Sequence, residues 1–560
     1  MYNQKLSEAL NLLLSSLPSA TDYVELILIY NGDISEITDR YNITVLLGGY
    51  ATANVMIRDI PSLASYDYII YISIPEPVFF SVRFGLMNSC PLSGSSQSIS
   101  SLTGRGVIIA IIDSGIDIFH PDFLDNDNST RIIAYWDQSV AGTPPSGYRY
   151  GNLYTSSDIN RIINSYSNSK ASSITPIPRD VSGHGTAVAG ICLGNGASSD
   201  GVYAGVAPDS MILAVRLRSS ITSSYPNTAA LMEGIDFAVK YASERNLPIV
   251  INLSYGNNYG PHDGYSLIGN YLNTLKTYGR NVIVCGSGNE GASSIHAGGT
   301  LRSSETVTIP FSISERETSL TMELWQFYGD MLDFSIIYPD GSRQNISPSV
   351  NRFRYRNTNI GILYGMPSPI SVSQNIFFSF NSDSYYIDGG LYSIEINARL
   401  IKNGRYDIWM QSASSINQGT NFLYPDEDTT LTTPSDTMNV ITVGAYDYTN
   451  DSVAFFSGRG FTRLLSAIKP DLVAPGVNII STKSGGGYSS YTGTSFATPF
   501  VSGACALLME WGIVNGNDPY MYSDKIKAFL IRGSRKLSSI SIYPSKQAGW
   551  GALCIRDSFL

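Results

Sequence analysis

The sequence predicts an α/β fold built on a parallel sheet, preceded by a small split βαβ unit and interrupted by an all-β insertion. Nearly continuous apolar runs such as RGVIIAIID, LPIVINLS and NVIVCGSG are typical of parallel strands that are buried on both faces. Helix-like segments such as TAALMEGIDFAVKYASE alternate with these runs, as expected for a parallel sheet covered by helices. Between about residues 300 and 425 the alternation stops, and short strand-like segments separated by turns indicate a sandwich or jelly roll.

The N-terminal region is predicted to fold as a unit of its own. Residues 24 to 75 follow the order strand, helix, strand, strand, helix, strand, which fits a ferredoxin-like split βαβ unit. The stretch SCPLSGSSQSISS at 89–101 is rich in Ser and contains Gly and Pro, which is typical of a linker. We therefore expect the chain to divide into an N-terminal unit at 1–88, a first part of the α/β domain at 89–299, the all-β insertion at 300–425 and a second part of the α/β domain at 426–560.

Composition limits the classes of partner. The net charge of −10 and the pI of about 5.0 argue against nucleic acid as the main partner, since such proteins usually carry a basic face. No run of 18 or more apolar residues occurs, so no membrane span is expected. The N-terminal apolar patch is interpreted as an amphipathic helix in preference to a secretion signal.

The five cysteines are scattered and form no CxxC pair. This spacing indicates neither a zinc cluster nor a disulfide framework. Together with the N-terminal pattern, it predicts synthesis in the cytoplasm.

Three short motifs carry the candidate chemistry. IIDSGID places Asp113 at the end of an apolar strand, whereas SGHGTAVAG and GTSFATP place His184 and Ser495 at the starts of helices. Strand carboxyl ends and helix N-termini lie at the same edge of such a sheet, so we expect the three side chains to meet there. A serine hydroxyl is a weak nucleophile until a base takes its proton, and a histidine oriented by a carboxylate is such a base.

With these motifs in the order Asp, His, Ser, the chain resembles the subtilisin-like serine proteases over about residues 105 to 555. The resemblance implies a subtilisin-like parallel sheet flanked by helices, and cleavage of peptide bonds with Asp113 orienting His184 and His184 accepting the Ser495 proton. It also implies that Asn289, in CGSGNEG, donates to the oxyanion beside the Ser495 N–H. No cofactor and no metal are expected.

The same resemblance implies a substrate-binding edge. Ser254, Tyr255 and Gly256, in INLSYG, would pair with an extended peptide as an added strand. Ser287 and Gly288 would line the opposite wall of the P1 pocket. Tyr255 has two interpretations, because a bulky residue there could shape the pocket or simply pack.

Several other residues are assigned structural roles or left open. His120 matches a structural position of the family, and His262 and His296, which lack the glycine flanks and helix starts, are interpreted as surface residues. Pro499 is expected near the first turn of the helix that begins at Ser495. Asn195 and Asp200 could bind calcium, but loops of this composition are more often turns.

A finer resemblance concerns the regions outside the protease core. The N-terminal unit looks like the propeptide that chaperones and inhibits subtilases, and the β-rich block resembles the jelly-roll insertion of the Csp-type germination proteases of clostridial spores. This implies self-cleavage between about Phe80 and Ser98, with the propeptide retained non-covalently.

The Csp-type resemblance also bears on the role and the location of the protein. It implies limited proteolysis of a protein zymogen, the precursor of a spore-cortex hydrolase, and packaging in the spore. The alternative is a catalytically silent or weak sensor or scaffold in germination signalling, because other members of that group have lost triad residues.

Overall fold

The computed structural model describes residues 4–80, 100–167, 178–220, 224–346, 352–365, 368–463 and 467–559. Within these ranges the strands form a four-stranded N-terminal sheet, a nine-stranded central sheet and two sheets in the insertion. The predicted α/β fold is confirmed, since the strands of the central sheet alternate with helices along the chain.

The N-terminal unit is an antiparallel sheet of order β2-β3-β1-β4 with helices on one face. Its elements are α1 Glu8–Ser16, β1 Tyr23–Tyr30, α2 Ser35–Thr38, β2 Ile43–Val45, β3 Tyr50–Met56, α3 Ile60–Ala64 and β4 Ile69–Ser73. Because side chains alternate along β1, Leu26 and Leu28 pack within the unit, whereas Ile27 packs into the core of the central domain. One face of this sheet is therefore buried against its own helices and the other against the central domain.

The central sheet has the order β25-β24-β12-β10-β6-β9-β7-β8, and β26 also pairs with β24. Its strands are β6 Ile108–Asp113, β7 Ile132–Asp137, β8 Asn152–Thr155, β9 Met211–Arg216, β10 Ile249–Leu253, β12 Asn281–Gly286, β24 Ile441–Asp447, β25 Ser452–Val453 and β26 Leu472–Pro475. The pairs are parallel except at β7/β8 and β24/β25. Every residue of β6 and β10 is buried, in agreement with the continuous apolar runs.

Helices cover both faces of this sheet. They are α4 Ser156–Ser167, α5 His184–Leu193, α6 Thr228–Glu244, α7 Leu267–Leu275, α8 Thr494–Met509 and α9 Ser523–Arg532. Ile109 and Ile111 of β6 share a core with α4, α5, α8 and α9, whereas Ile108 and Ile112 share the opposite core with α6 and α7. Two further pairs of strands lie outside the main sheets. One pair is β5 Phe79–Phe80 with β11 Tyr255–Gly256, and the other is β27 Ile479–Thr482 with β28 Tyr488–Tyr491.

Helix α8 continues as a π-helical segment, Glu510–Val514. By length and composition the combined stretch Thr494–Val514 could cross a membrane, but 83% of its apolar window is buried inside the protein. Burial of that extent is typical of a central core helix, which is how α8 packs against the sheet.

The insertion is a sandwich of two antiparallel sheets, of orders β13-β22-β15-β20-β19-β18 and β17-β16-β21-β14-β23. Its strands are β13 His296–Thr300, β14 Thr306–Ile313, β15 Leu320–Phe327, β16 Met331–Ile337, β17 Arg343–Ile346, β18 Arg352–Tyr355, β19 Thr358–Tyr364, β20 Ser373–Ser382, β21 Gly390–Leu400, β22 Arg405–Met410 and β23 Asn421–Phe422. Apolar residues from both sheets, such as Phe311 and Phe378, meet in one core. The finer jelly-roll assignment stays a prediction.

The interpretation of His262 and His296 as surface residues is wrong. Both imidazole rings are buried and stack on the ring of Trp409. The centroid of the Trp409 ring lies 4.0 Å from that of His262 and 4.6 Å from that of His296. His296 Nε2 also lies 3.3 Å from Asp407 Oδ1, and Asp407 accepts a hydrogen bond from Arg463 Nε at 2.8 Å. The residues that bury these rings come from the insertion and from a distant loop, so local sequence gave no sign of them.

Trp409→Ala should destabilise the protein strongly, because it removes the ring that joins the loop after β11 to the insertion. A buried tryptophan truncated to alanine typically costs about 3–5 kcal/mol. Thermal unfolding should show a lower midpoint for Trp409→Ala than for Tyr385→Ala, whose side chain is 87% exposed. Equal midpoints for the two variants would contradict this role of Trp409.

Candidate active site

Asp113 and His184 meet at the carboxyl edge of the central sheet. Asp113 is the last residue of β6, and His184 is the first residue of α5. Asp113 Oδ1 lies 2.7 Å from His184 Nδ1 and also accepts the Ser114 backbone N–H at 2.7 Å. Both side chains are buried, so the pair is held in one geometry. A proton on Nδ1 directed at this carboxylate leaves Nε2 as the basic nitrogen of the ring.

Asp180 fixes the start of the helix that carries His184. Its carboxylate accepts hydrogen bonds from the backbone N–H groups of Gly183 at 2.9 Å and Thr186 at 2.8 Å, and from the Ser114 hydroxyl at 2.8 Å. These bonds satisfy helix N–H groups that have no partner within the helix. The sequence interpretation missed Asp180, because it lies three residues before the N-cap residue Gly183, whereas a capping side chain is expected at the N-cap position itself.

Ser495 is the second residue of α8, which begins at Thr494 directly after Gly493, whose φ of 146° favours glycine. The Ser495 hydroxyl donates to the Ser254 carbonyl at 3.3 Å. The ring of Phe496, the next residue, lies 5.4 Å from the His184 ring, which brings the starts of α8 and α5 together. The structure thus gathers the three motif residues in one buried region.

Pro499 lies one turn further into α8 than expected. A residue at this position would normally donate its backbone N–H to the Ser495 carbonyl, but proline has no N–H. The Ser254 hydroxyl takes this place and donates to the Ser495 carbonyl at 3.2 Å. Asn252 Nδ2 in turn donates to the Ser254 hydroxyl at 3.1 Å, so β10 and α8 are tied together beside the candidate nucleophile.

Asn289 follows β12 and faces the start of α8. Its Oδ1 accepts the backbone N–H and the hydroxyl of Thr494, both at 3.1 Å. Since a backbone N–H can only donate, the oxygen of the carboxamide is assigned to that side, and its NH₂ group points away from Thr494. This orientation suits a donor to negative charge that develops near Ser495.

The candidate substrate edge is occupied by the chain itself. Strand β11 pairs antiparallel with β5, with Tyr255 opposite Phe80 and Gly256 opposite Phe79. The Tyr255 side chain is 5% exposed and belongs to the core that packs under the sheet, which favours the packing interpretation of this residue. The backbone of 255–256 is therefore the part that faces an extended chain.

Ser287 and Gly288 directly precede Asn289 and contact Ser457 and Thr432. The Ser287 side chain is fully buried, and its hydroxyl lies 3.4 Å from that of Ser457. Gly288 has a φ of 89°, and a Cβ there would lie 2.5 Å from Thr432 Cγ2. These contacts place the two residues against Thr432, where they support the wall of the cleft.

A cavity of about 790 Å³ adjoins Asn289 and Gly256. One wall comes from the insertion, through the loop 412–421. Glu290 anchors this loop, because its carboxylate accepts the Ser412 hydroxyl at 2.8 Å and the Ala413 N–H at 3.3 Å. Burial raises the pKa of Glu290 above its ordinary value. This contribution of the insertion was not predicted, because it depends on how a distant loop folds back.

The remaining candidates have structural contacts of their own. Asn195 uses its side chain within the loop, donating to the Leu124 carbonyl at 2.8 Å and accepting the Ala197 N–H at 3.0 Å. No group of three or more His, Cys, Asp or Glu residues that could hold a metal ion occurs among the described residues. His120 is buried and accepts the Asp122 N–H at 3.2 Å, which is a structural role.

Comparison with known proteins gives two family matches. The subtilase family model matches residues 104–351 and 394–551, and the Csp protease B prodomain model matches residues 2–76. The solved structure of the Clostridium perfringens CspB protease is similar, with a TM-score of 0.74 and 33% identity, covering 82% of this chain and 93% of that chain.

Curated relatives match over smaller shares of their own length. The PII-type proteinase of Lactococcus lactis subsp. cremoris is 26% identical over 545 residues, which cover 86% of this chain and 26% of that protein. Serine protease AprX of Bacillus subtilis is 37% identical over 132 residues, covering 20% of this chain and 28% of that protein. The chain spans about a quarter of the length of these curated relatives.

Gly185→Ala should disrupt the site without unfolding the protein. A Cβ at this position would lie 2.1 Å from the Gly115 carbonyl oxygen and 3.0 Å from Asp113 Cβ, so Asp113 or His184 must shift. A misplacement of about 1 Å can lower reactivity about 100-fold. We expect a loss of that size in the rate at which a fluorophosphonate labels Ser495.

The matched control is Gly361→Ala in the insertion, where the nearest atom to an added Cβ is 3.9 Å away. This variant should label at the wild-type rate. A wild-type labelling rate in Gly185→Ala would show that the geometry of Asp113 and His184 does not govern Ser495.

Proposed function

The chain belongs to the subtilase family of serine peptidases and is of the Csp type, and from this premise we propose that Asp113, His184 and Ser495 form its catalytic triad. The observation that carries the proposal is the 2.7 Å contact between Asp113 and His184 beside the start of α8. Ser495 would attack a peptide carbonyl, and His184 would take its proton and pass it to the leaving amine.

The reaction requires one local change. The Ser495 hydroxyl now donates to the Ser254 carbonyl, and it must turn to donate to His184 Nε2 before it can attack. Rotation about the Cα–Cβ bond of Ser495 is the motion that redirects this hydroxyl. The oxyanion that forms would accept from Asn289 Nδ2 and from the Ser495 backbone N–H, since the N-terminus of α8 favours negative charge.

We propose that the first substrate is the chain itself. Phe79 and Phe80 pair with β11 as an added antiparallel strand, which is how an extended peptide would bind to this edge. Phe80 lies opposite Tyr255, which directly follows Ser254, and the Ser254 carbonyl accepts the Ser495 hydroxyl. The bond Ser81–Val82 is therefore the proposed cleavage site. The predicted range from Phe80 to Ser98 otherwise lies outside the described residues.

Contacts across the interface support retention of the N-terminal unit after cleavage. Glu25 pairs with Arg218 and accepts from Asn227 Nδ2 at 2.8 Å. The Leu47 backbone N–H donates to Asp236 Oδ1 at 2.7 Å. These polar bonds surround the apolar face of the N-terminal sheet, so the cut propeptide should remain bound as a non-covalent partner.

The finer proposal is that this protease acts in spore germination by cutting a protein zymogen, the precursor of a cortex hydrolase, and is packaged in the spore after cytoplasmic synthesis. Similarity to the CspB protease of Clostridium perfringens, in both core and prodomain, supports this assignment. Purified cortex-hydrolase precursor incubated with the protein should be shortened at one site, whereas an untouched precursor would refute this substrate.

The second candidate is a silent or weak sensor or scaffold on the same fold. It is favoured by the bond from Ser495 to the Ser254 carbonyl, which occupies the hydroxyl that the reaction needs. Fluorophosphonate labelling separates the two functions, because only an assembled site activates Ser495.

Ser495→Ala should remove all self-cleavage, since no other side chain in the site can replace the nucleophile. In the wild type we expect a new N-terminus at Val82, whereas Ser495→Ala should keep its full length. Intact-mass and N-terminal analysis of both purified proteins measures this. Ser198→Ala, an exposed serine in a loop, is the matched control and should be processed normally. A cut that persists in Ser495→Ala would refute self-processing by Ser495.

Retention of the propeptide should weaken as the pH rises. Glu233 in α6 is buried beside Thr52 of the propeptide, and burial raises its pKa to about 8. On release the group becomes accessible to water and returns to an ordinary value of about 4.3. The complex therefore favours the protonated form of Glu233. The contribution of this group to the free energy of propeptide binding is full below about pH 4.3 and is lost as the pH rises through about 8.

Binding of the cut propeptide should therefore be about tenfold or more weaker at pH 9 than at pH 6, as measured by gel filtration of the two pieces. Glu233→Gln cannot ionise and should flatten this dependence. A wild-type complex that is equally stable at both pH values would count against the role of Glu233.

A further inference from the structure

A cavity of about 320 Å³ lies where three parts of the protein meet, away from the Ser495 site. The propeptide contributes β4 and the segment that follows it, the core contributes the loop 259–267, and the insertion contributes β15 and β20 with neighbouring turns. The volume is at the lower end of the range for small-molecule sites. The cavity is therefore large enough for a compact organic molecule.

The wall of this cavity is rich in acceptors. Three carboxylates line it, those of Glu8, Glu76 and Glu323, and no Lys, Arg or His is among the lining residues that the structure describes. Glu323 is 7% exposed and accepts two hydrogen bonds on Oε2, from the Gly260 N–H at 2.8 Å and from Trp325 Nε1 at 2.9 Å. Both donors hold the carboxylate in place, yet neither carries a charge that neutralises it.

Asn375 adds an unsatisfied acceptor to the same wall. Its side chain stabilises the charged form of Glu323, which uses the NH₂ group of the amide. Its Oδ1 is buried and has no hydrogen-bond partner among the described residues. A buried polar atom without a partner is costly, so a donor in the cavity would be stabilising here.

Aromatic rings supply the rest of the surface. They are Tyr71 of the propeptide, Tyr259 and Tyr265 of the core loop, and Trp325 and Phe377 of the insertion. The faces of such rings attract cations and cover apolar groups. An acceptor-rich end beside an aromatic wall thus complements a molecule with a positive donor head and an apolar body.

We propose that this cavity is a binding site for a small organic cation, a primary ammonium group on an apolar or aromatic body. An ammonium group offers three donors and one positive charge, which match Glu76, Glu323 and the Asn375 Oδ1 acceptor. The inference does not depend on the proposed catalytic function, because none of these residues belongs to the triad.

The cavity adjoins the segment of the propeptide that enters the candidate substrate edge. Glu76 lies three residues before Phe79, so the same short segment lines the cavity and enters the substrate edge. A bound cation would contact the propeptide, the core and the insertion together. Occupancy should therefore stabilise the propeptide in its docked position.

Cation binding should also release a proton. Burial and the nearby Glu323 charge raise the pKa of Glu76 to about 8, and Asp436 acts in the same direction. The pKa of Glu323 is raised as well, mainly by burial and with a contribution from Glu8. The other titratable side chains of the wall are Tyr71, Tyr259 and Tyr265, and burial raises the pKa of Tyr71 and of Tyr259. Because an adjacent ammonium favours the ionised carboxylates, the cavity should lose a proton as the ligand enters.

The test uses the full-length Ser495→Ala protein, which cannot cut itself, and three probes of similar shape: benzylammonium, benzyl alcohol and benzoate. Calorimetry at pH 7 in two buffers of different ionisation enthalpy measures affinity and proton release. We expect benzylammonium to bind at least about tenfold more tightly than benzyl alcohol and to release protons, with no binding of benzoate. Equal affinities for the three probes, or no binding of benzylammonium, would overturn the proposal.

Variants locate the site. Glu323→Gln and Glu76→Gln should each weaken benzylammonium binding about tenfold or more, whereas Glu315→Gln, at an exposed position of the insertion, should bind as the parent does. The thermal midpoint of each variant checks that it is folded. Glu76→Gln and Glu323→Gln test two different carboxylates of the cavity, so either folded variant can locate the bound benzylammonium. Unchanged binding in both folded variants would show that benzylammonium binds elsewhere.

Discussion

The packing of α8 against the parallel sheet is the contact on which the rest of the site depends. All sixteen residues of this helix are buried, and its first turn carries Ser495. A helix so placed cannot shift without opening the core, because protein interiors are close-packed. The missing N–H of Pro499 lets the Ser254 hydroxyl bond to the Ser495 carbonyl, so the helix is tied to the substrate edge as well as to the sheet. The candidate nucleophile and the candidate substrate edge are thus one rigid assembly.

A segment of the chain itself, β5, pairs with the candidate substrate edge. The pairing of Phe79 and Phe80 with β11 has the geometry of a bound peptide, so the fold carries a model of how a substrate lies. The N-terminal sheet behind this segment is held by an apolar face and by polar bonds at its rim. Inhibition and self-cleavage would then be two outcomes of the same docked strand, separated by the orientation of the Ser495 hydroxyl.

The insertion is joined to the core more closely than a peripheral domain would be. The stack of His262, Trp409 and His296 forms one connection, and the loop that Glu290 anchors forms another beside Asn289. Burial lowers the pKa of His262 to about 4, so this ring stays neutral near neutral pH and can pack against Trp409. The insertion therefore forms one wall of the cavity beside Asn289 and one wall of the acceptor-rich cavity.

The sequence by itself determined the α/β order, the N-terminal unit and the candidate triad positions, because each depends on local patterns. Apolar runs mark buried strands, and glycine-flanked Asp113, His184 and Ser495 mark strand and helix ends, which share one edge of any parallel sheet. Only the tertiary structure decided which distant residues meet. It buried the two histidines on Trp409, brought Asp180 to the start of the helix that carries His184, and closed a cavity around Glu76 and Glu323. These features are contacts between segments far apart in the chain, and no local periodicity encodes the distance between them.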